Sequence, residues 1–103
     1  MAAFAGLTEG ERERLEMLIE EAAEVVQAAT KVLRHGYSSY NPNLPEETRG
    51  TNRSDLIREF NDLLAIAGEM DRCGDIFIDN GYGELDRIFR KKLQYTHHQG
   101  DGK

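Results

Sequence analysis

Apolar residues recur at a helical interval through residues 15–36, LEMLIEEAAEVVQAATKVLRHG. Leu15, Leu18, Ile19, Ala22, Val26, Ala29 and Leu33 form one stripe, which predicts a long amphipathic helix. Thr8 followed three residues later by Glu11 is a capping-box signal, so the helix is expected to start at Glu9. Gly36 ends it, after a last turn rich in base (Lys31, Arg34, His35) that complements the helix dipole. Leu56, Phe60, Leu63, Leu64, Ala67 and Met70 predict a second helix, capped by Asn52 or Ser54, running to about Arg72 and stopped by Gly74. Leu85, Ile88, Phe89 and Leu93 predict a third, from about Glu84 to His97.

The intervening segments are read from their turn residues. Residues 37–52 hold Pro42, Pro45 and Gly50 and are expected to form a long loop without regular structure, bearing Tyr37 and Tyr40. A loop of this length is often functional, although packing alone accounts for most loop tyrosines. Residues 75–83 fit either a short helical turn or an extended piece, with a turn signal at Asp79-Asn80-Gly81. A calcium loop there is excluded, because Phe77 stands at its third position and Asn80 where glycine is required. Residues 1–7 and 98–103 are expected to be flexible. The whole, residues 1–103, reads as one all-α domain.

Charge narrows the function. With 13 basic and 19 acidic residues, the net charge of -6 argues against binding a nucleic acid polymer or a membrane surface. It suits a protein that collects cations. The single cysteine, Cys73, allows no internal disulfide and fits a reducing compartment. No apolar run approaches membrane-spanning length and the first residues do not read as a signal peptide, so a cytoplasmic location is expected. A single helical layer of this size buries a modest core. Val25 and Val32 add apolar surface outside the main stripe, so self-association is expected.

The chemistry lies in two acidic pairs. Glu21 and Glu24 on the first helix, and Glu59 and Asp62 on the second, are each spaced by three, which puts both members on one helix face. Packing the two helices by their apolar faces brings four acids to the edge of a shared groove. Converging carboxylates repel and are costly to bury unless neutralised, and a hard divalent cation with oxygen ligands neutralises them. Mg²⁺ in particular is held by a few carboxylates together with substrate phosphates. A solvated acidic face is the competing reading of either pair alone. No Glu is followed three residues later by His, which removes the di-iron bundle signature. His-Glu-x-x-His and the phosphate-binding glycine motifs are also missing.

Glu20-Glu21-Ala22-Ala23-Glu24 followed one helix later by Glu59-Phe60-Asn61-Asp62 resembles the paired motif of the MazG-like all-α nucleoside triphosphate pyrophosphohydrolases. That superfamily includes dimeric dUTPases and dCTP pyrophosphatases. The resemblance spans about Leu15 to Gln99 and includes the basic last helix. It implies a helical bundle completed by homo-oligomerisation, as a dimer or tetramer. It also implies hydrolysis of an NTP or dNTP to the monophosphate and pyrophosphate, as nucleotide-pool house-cleaning. Glu21, Glu24, Glu59 and Asp62 would bind Mg²⁺, with Mn²⁺ a possible substitute, and Glu20 would orient or deprotonate water. Lys31 lies about 10 Å along the helix from Glu24 and is the first phosphate candidate. Arg34, His35, Arg87, Lys91 and Lys92 follow it, with base recognition left to the loop aromatics or a partner subunit. Two rivals stay open: a non-catalytic helical interaction or regulatory module, and a phosphoribosyl-ATP pyrophosphohydrolase-like enzyme.

Overall fold

The computed structural model describes residues 6–78 and 82–99. Among them the chain is helical, with one isolated bridge between Tyr40 and Thr51 and no strand. Helix α1 spans Glu9–His35, α2 Asn52–Arg72 and α3 Tyr82–Lys92, and short 3-10 turns occupy Glu46–Thr48 and Leu93–Tyr95. No helix among the described residues is long and apolar enough to cross a membrane.

The first helix begins where its capping box puts it. The Thr8 hydroxyl accepts from Glu11 N–H at 3.1 Å, and Thr8 N–H donates to the Glu11 carboxylate at 2.9 Å. Gly36, at φ 86°, ends it with its N–H on the Val32 carbonyl. The second helix is capped one residue earlier than expected. The Thr51 hydroxyl accepts from Ser54 N–H, and Asn52 is already helical. At the far end Gly74, at φ 83°, reverses the chain, with Gly74 N–H on Asp71 O and Asp75 N–H on Met70 O.

Helices α1 and α2 pack as an antiparallel hairpin clamped at both ends. At one end Asn52, buried, donates its side-chain amide to Gly36 O at 3.1 Å. Its backbone N–H donates to Ser39 O at 2.8 Å. At the other, Arg14 forks onto Asp75, Nε to Oδ2 at 2.5 Å and Nη2 to Oδ1 at 2.9 Å. That pair is shielded, Asp75 being 11% exposed, and the contact holds the Asp75 carboxyl below the usual carboxylate range.

The packed faces keep Leu18, Leu56, Leu63 and Met70 of the predicted stripes inward but are turned from the rest of them. On α1 the inward seam is Arg14, Leu18, Glu21, Val25, Ala28 and Val32, with Ala28 its only fully buried member. On α2 it is Asn52, Leu56, Glu59, Leu63, Ile66 and Met70, with Met70 1% exposed. Both seams alternate steps of three and four, the knobs-into-holes period of close helix pairs. The expected stripe members Ile19, Val26 and Leu33 are instead 67, 64 and 87% exposed, and Phe60 and Leu64 are about half exposed. Three anchors account for the rotation: the small Ala28, the Arg14–Asp75 pair and the Asn52 clamp. The hairpin therefore carries an inner apolar seam and an outer apolar face.

Helix α3 starts at Tyr82 and gives way to a 3-10 turn at Leu93, short of the expected end at His97. Among the described residues it packs on neither α1 nor α2. Its Leu85, Ile88 and Phe89 stay exposed. Residues 76–78 are not helical, and the turn expected at Asp79-Asn80-Gly81 lies outside the described residues, as do the ends 1–5 and 100–103. The radius of gyration is 17.5 Å, against about 13 Å for a compact chain of this length.

Candidate metal centre

Because the seam carries Glu21 and Glu59 in place of apolar residues, the acids lie within the helix interface as well as at its edge. Glu21, Glu24, Glu59 and Asp62 each bring a carboxylate oxygen to one place, with all four atoms within 4.8 Å of one another. The first three are half-buried and Asp62 is exposed at the rim. One oxygen each of Glu21 and Glu59 is buried without a hydrogen-bond partner among the described residues. An orphaned buried carboxylate oxygen is expensive, and one on each of two clustered acids fits a site completed by a proton or a cation.

The electrostatics agree. The Glu24 carboxyl is pushed up to about 7 by its hydrogen bond to Glu59, by the Glu21 charge and by desolvation. Without a cation the cluster therefore holds a proton near neutral pH. Arg58, 3.3 Å from Glu59 and 3.3 Å from Asp55, supplies compensating charge, and the Glu59 contact raises its pKa. One arginine opposite four carboxylates leaves the cluster electronegative. The donor set is all oxygen, which fits a hard divalent cation such as Mg²⁺ or Mn²⁺ and not a thiolate- or imidazole-seeking metal.

A hollow adjoins the acids, and a second neighbours it through shared lining residues. A groove of about 250 Å³ is lined by Glu24, Gln27, Ala28, Lys31, Asn52, Asp55, Arg58 and Glu59. A larger cavity, about 630 Å³, lies between the end of α1 and the loop, and shares Lys31, Asn52, Asp55 and Arg58 with the groove. Arg34, His35 and Tyr40 also line it. Lys31 thus stands where the two meet, and Arg34 lies on the cavity side. Arg87, Lys91 and Lys92 line a separate hollow on α3 with Ile88 and Tyr95. The chain's own fold does not bring them to the acids. Glu20 is exposed and outside the cluster.

Arg58 and Asp55 had no expected part in the site, and Asn52 was expected only as a cap. Arg58 was findable, since it directly precedes Glu59. The role of Asn52 as a clamp between helices depends on the turn of the loop and has no local signature. Compared with family models, with curated proteins and with solved structures, the chain matches none of them.

Proposed function

We propose that this protein hydrolyses a nucleoside triphosphate, NTP or dNTP, to the monophosphate and pyrophosphate with Mg²⁺ held by Glu21, Glu24, Glu59 and Asp62. The observation that carries the reading is the convergence of the four carboxylates with two unpartnered buried oxygens among them. The MazG-like motif pair supplies the reaction class. A cation bound there contributes charge neutralisation and Lewis-acid polarisation at the reacting phosphorus.

The chain's residues then divide the work by position. Glu21 and Glu59, fixed in the helix seam, and Glu24 and Asp62 beside them set the place of the cation. Glu24 gives up its shared proton as the cation binds. Lys31, at the junction of groove and cavity, meets the phosphate chain as a flexible point charge, with Arg34 beyond it. In the overall step the oxygen of water bonds to the α-phosphorus and the bond to the α–β bridging oxygen breaks. Pyrophosphate leaves, and the water proton passes to solvent.

The active form we propose is a homo-oligomer, a dimer or tetramer, acting in the cytoplasm on the nucleotide pool. The outer face of Ile19, Val26 and Leu33, together with Phe60, Leu64 and the unpacked face of α3, supports it. A screen of common and modified NTPs and dNTPs with Mg²⁺ and with Mn²⁺ tests the function. Release of pyrophosphate from at least one is expected. No turnover would favour a non-catalytic module, and orthophosphate as the only phosphate product would make the protein a different phosphohydrolase; either overturns the reading.

A further inference from the structure

Two tyrosines stand on the loop between α1 and α2, and an arginine covers each. The Arg53 guanidinium lies 4.4 Å from the Tyr37 ring centroid, but Tyr37 does not border the cavity. The Arg49 guanidinium lies 4.7 Å from the Tyr40 centroid. Tyr40 lines the cavity and Arg49 does not. One face of the Tyr40 ring is therefore backed by a cation, and Tyr40, 48% exposed, is a lining residue of the cavity.

That backing is held in place by hydrogen bonds. Arg49 donates from Nε to Leu44 O at 3.3 Å, and from Nη2 to Pro42 O at 3.3 Å and Leu44 O at 3.0 Å. The Tyr40 backbone bridges to Thr51, and the next pair along is closed by Asn52 N–H on Ser39 O. The ring is oriented before any ligand arrives, so binding spends little on ordering it. The same cavity reaches Lys31, which also lines the groove holding Glu24 and Glu59. A ligand that spans the two neighbouring hollows needs a polyanion at one end and a flat aromatic face at the other. A nucleoside triphosphate has both, whereas inorganic polyphosphate has only the first.

We propose that Tyr40, backed by Arg49, stacks on the nucleobase and is the residue by which the site prefers nucleotides to base-free polyphosphates. This rests on the pyrophosphohydrolase reading and adds its base-binding residue. The test is isothermal titration, with Mg²⁺ present, of α,β-methylene analogues of ATP, GTP, CTP and UTP and of inorganic tripolyphosphate. Wild-type protein is expected to bind at least one analogue more tightly than tripolyphosphate. Tyr40→Ala should weaken that analogue at least about fivefold, the lower end of a base–aromatic stack, and leave tripolyphosphate within about twofold. Tyr40→Phe, which keeps the ring, should match wild type. Equal binding of the analogue by wild type and Tyr40→Ala would overturn the proposal. So would parallel loss of analogue and tripolyphosphate, or a wild type that binds tripolyphosphate as tightly as any analogue. Failure of wild type to bind either class would overturn the pyrophosphohydrolase reading itself.

Discussion

Acidification from pH 8 to pH 6 should weaken Mg²⁺ binding about tenfold through one proton on Glu24. The Glu59 hydrogen bond, the Glu21 charge and desolvation push that carboxyl from 4.5 to about 7. A cation needs the carboxylate, so proton and cation compete. For one group titrating at about 7, the competition lowers affinity about 1.1-fold at pH 8 and about 11-fold at pH 6. The cation-free protein feels the same proton. Its folded state holds that proton more tightly than the unfolded chain. The group's contribution to stability is therefore full below about 4.5 and is lost as pH rises through about 7. Separately, by mass action alone, Mg²⁺ at about 100 times its Kd should add about 2.7 kcal/mol, on the order of 10–20 °C in Tm for a domain of this size. The assay is titration of Mg²⁺ into chelator-stripped protein, in paired buffers of different ionisation enthalpy. About 0.9 proton should be released per cation at pH 6, and about 0.1 at pH 8. Equal affinity at the two pH values, with no proton reaching the buffer, would refute the competition.

Four further outcomes follow from the same geometry. Glu21→Gln, Glu24→Gln, Glu59→Gln and Asp62→Asn should each lose most hydrolytic activity while keeping the helical circular dichroism of wild type, because each would remove a ligand of the proposed cation and relieve repulsion. Unfolding of these variants would make the acids structural. Lys31→Ala should weaken nucleotide binding or slow turnover with Mg²⁺ affinity of the free protein unchanged, and wild-type kinetics would return Lys31 to the surface. Leu33→Glu, at an 87% exposed apolar position, should lower the oligomer mass seen by light scattering without unfolding the chain; an unchanged mass would take the outer face out of the interface. Met70→Ala, at the best-buried position of the hairpin seam, should cost about 2–5 kcal/mol in urea unfolding, and a loss near zero would contradict the packing.

The sequence carried the elements more faithfully than their faces. The Thr8–Glu11 capping box and Gly36 set the ends of α1 because those signals are local, made by residues within one turn. Which face turns inward is not local. Ile19, Val26 and Leu33 are as apolar as Leu18, Val25 and Val32, and counting apolar residues cannot rank two stripes so alike. The choice is made by Arg14 meeting Asp75, 61 residues away, and by Asn52 reaching back to Gly36. The four acids were legible because their i,i+3 spacing survives such a rotation. Their depth was not legible, because it depends on which stripe is buried. The loop was read as irregular from its prolines, yet Arg49 binds the carbonyls of Pro42 and Leu44 and gives it a fixed shape. Arginine in a loop has no pattern that foretells this. The shortened third helix has a simpler origin: without a packing partner among the described residues, its last turn tightens at Leu93.

The central claim is that four carboxylates from two helices hold one kind of hard divalent cation. Titration of Mn²⁺ followed by electron paramagnetic resonance, on chelator-stripped wild type and on Glu59→Gln, tests it most directly, since free Mn²⁺ is counted without any need for substrate. Saturable binding by wild type, displaced by excess Mg²⁺, is expected, with a binding curve at least about tenfold weaker for Glu59→Gln, in line with the loss of one charged ligand. Wild type that leaves all Mn²⁺ free, or a variant that binds it as wild type does, would contradict it.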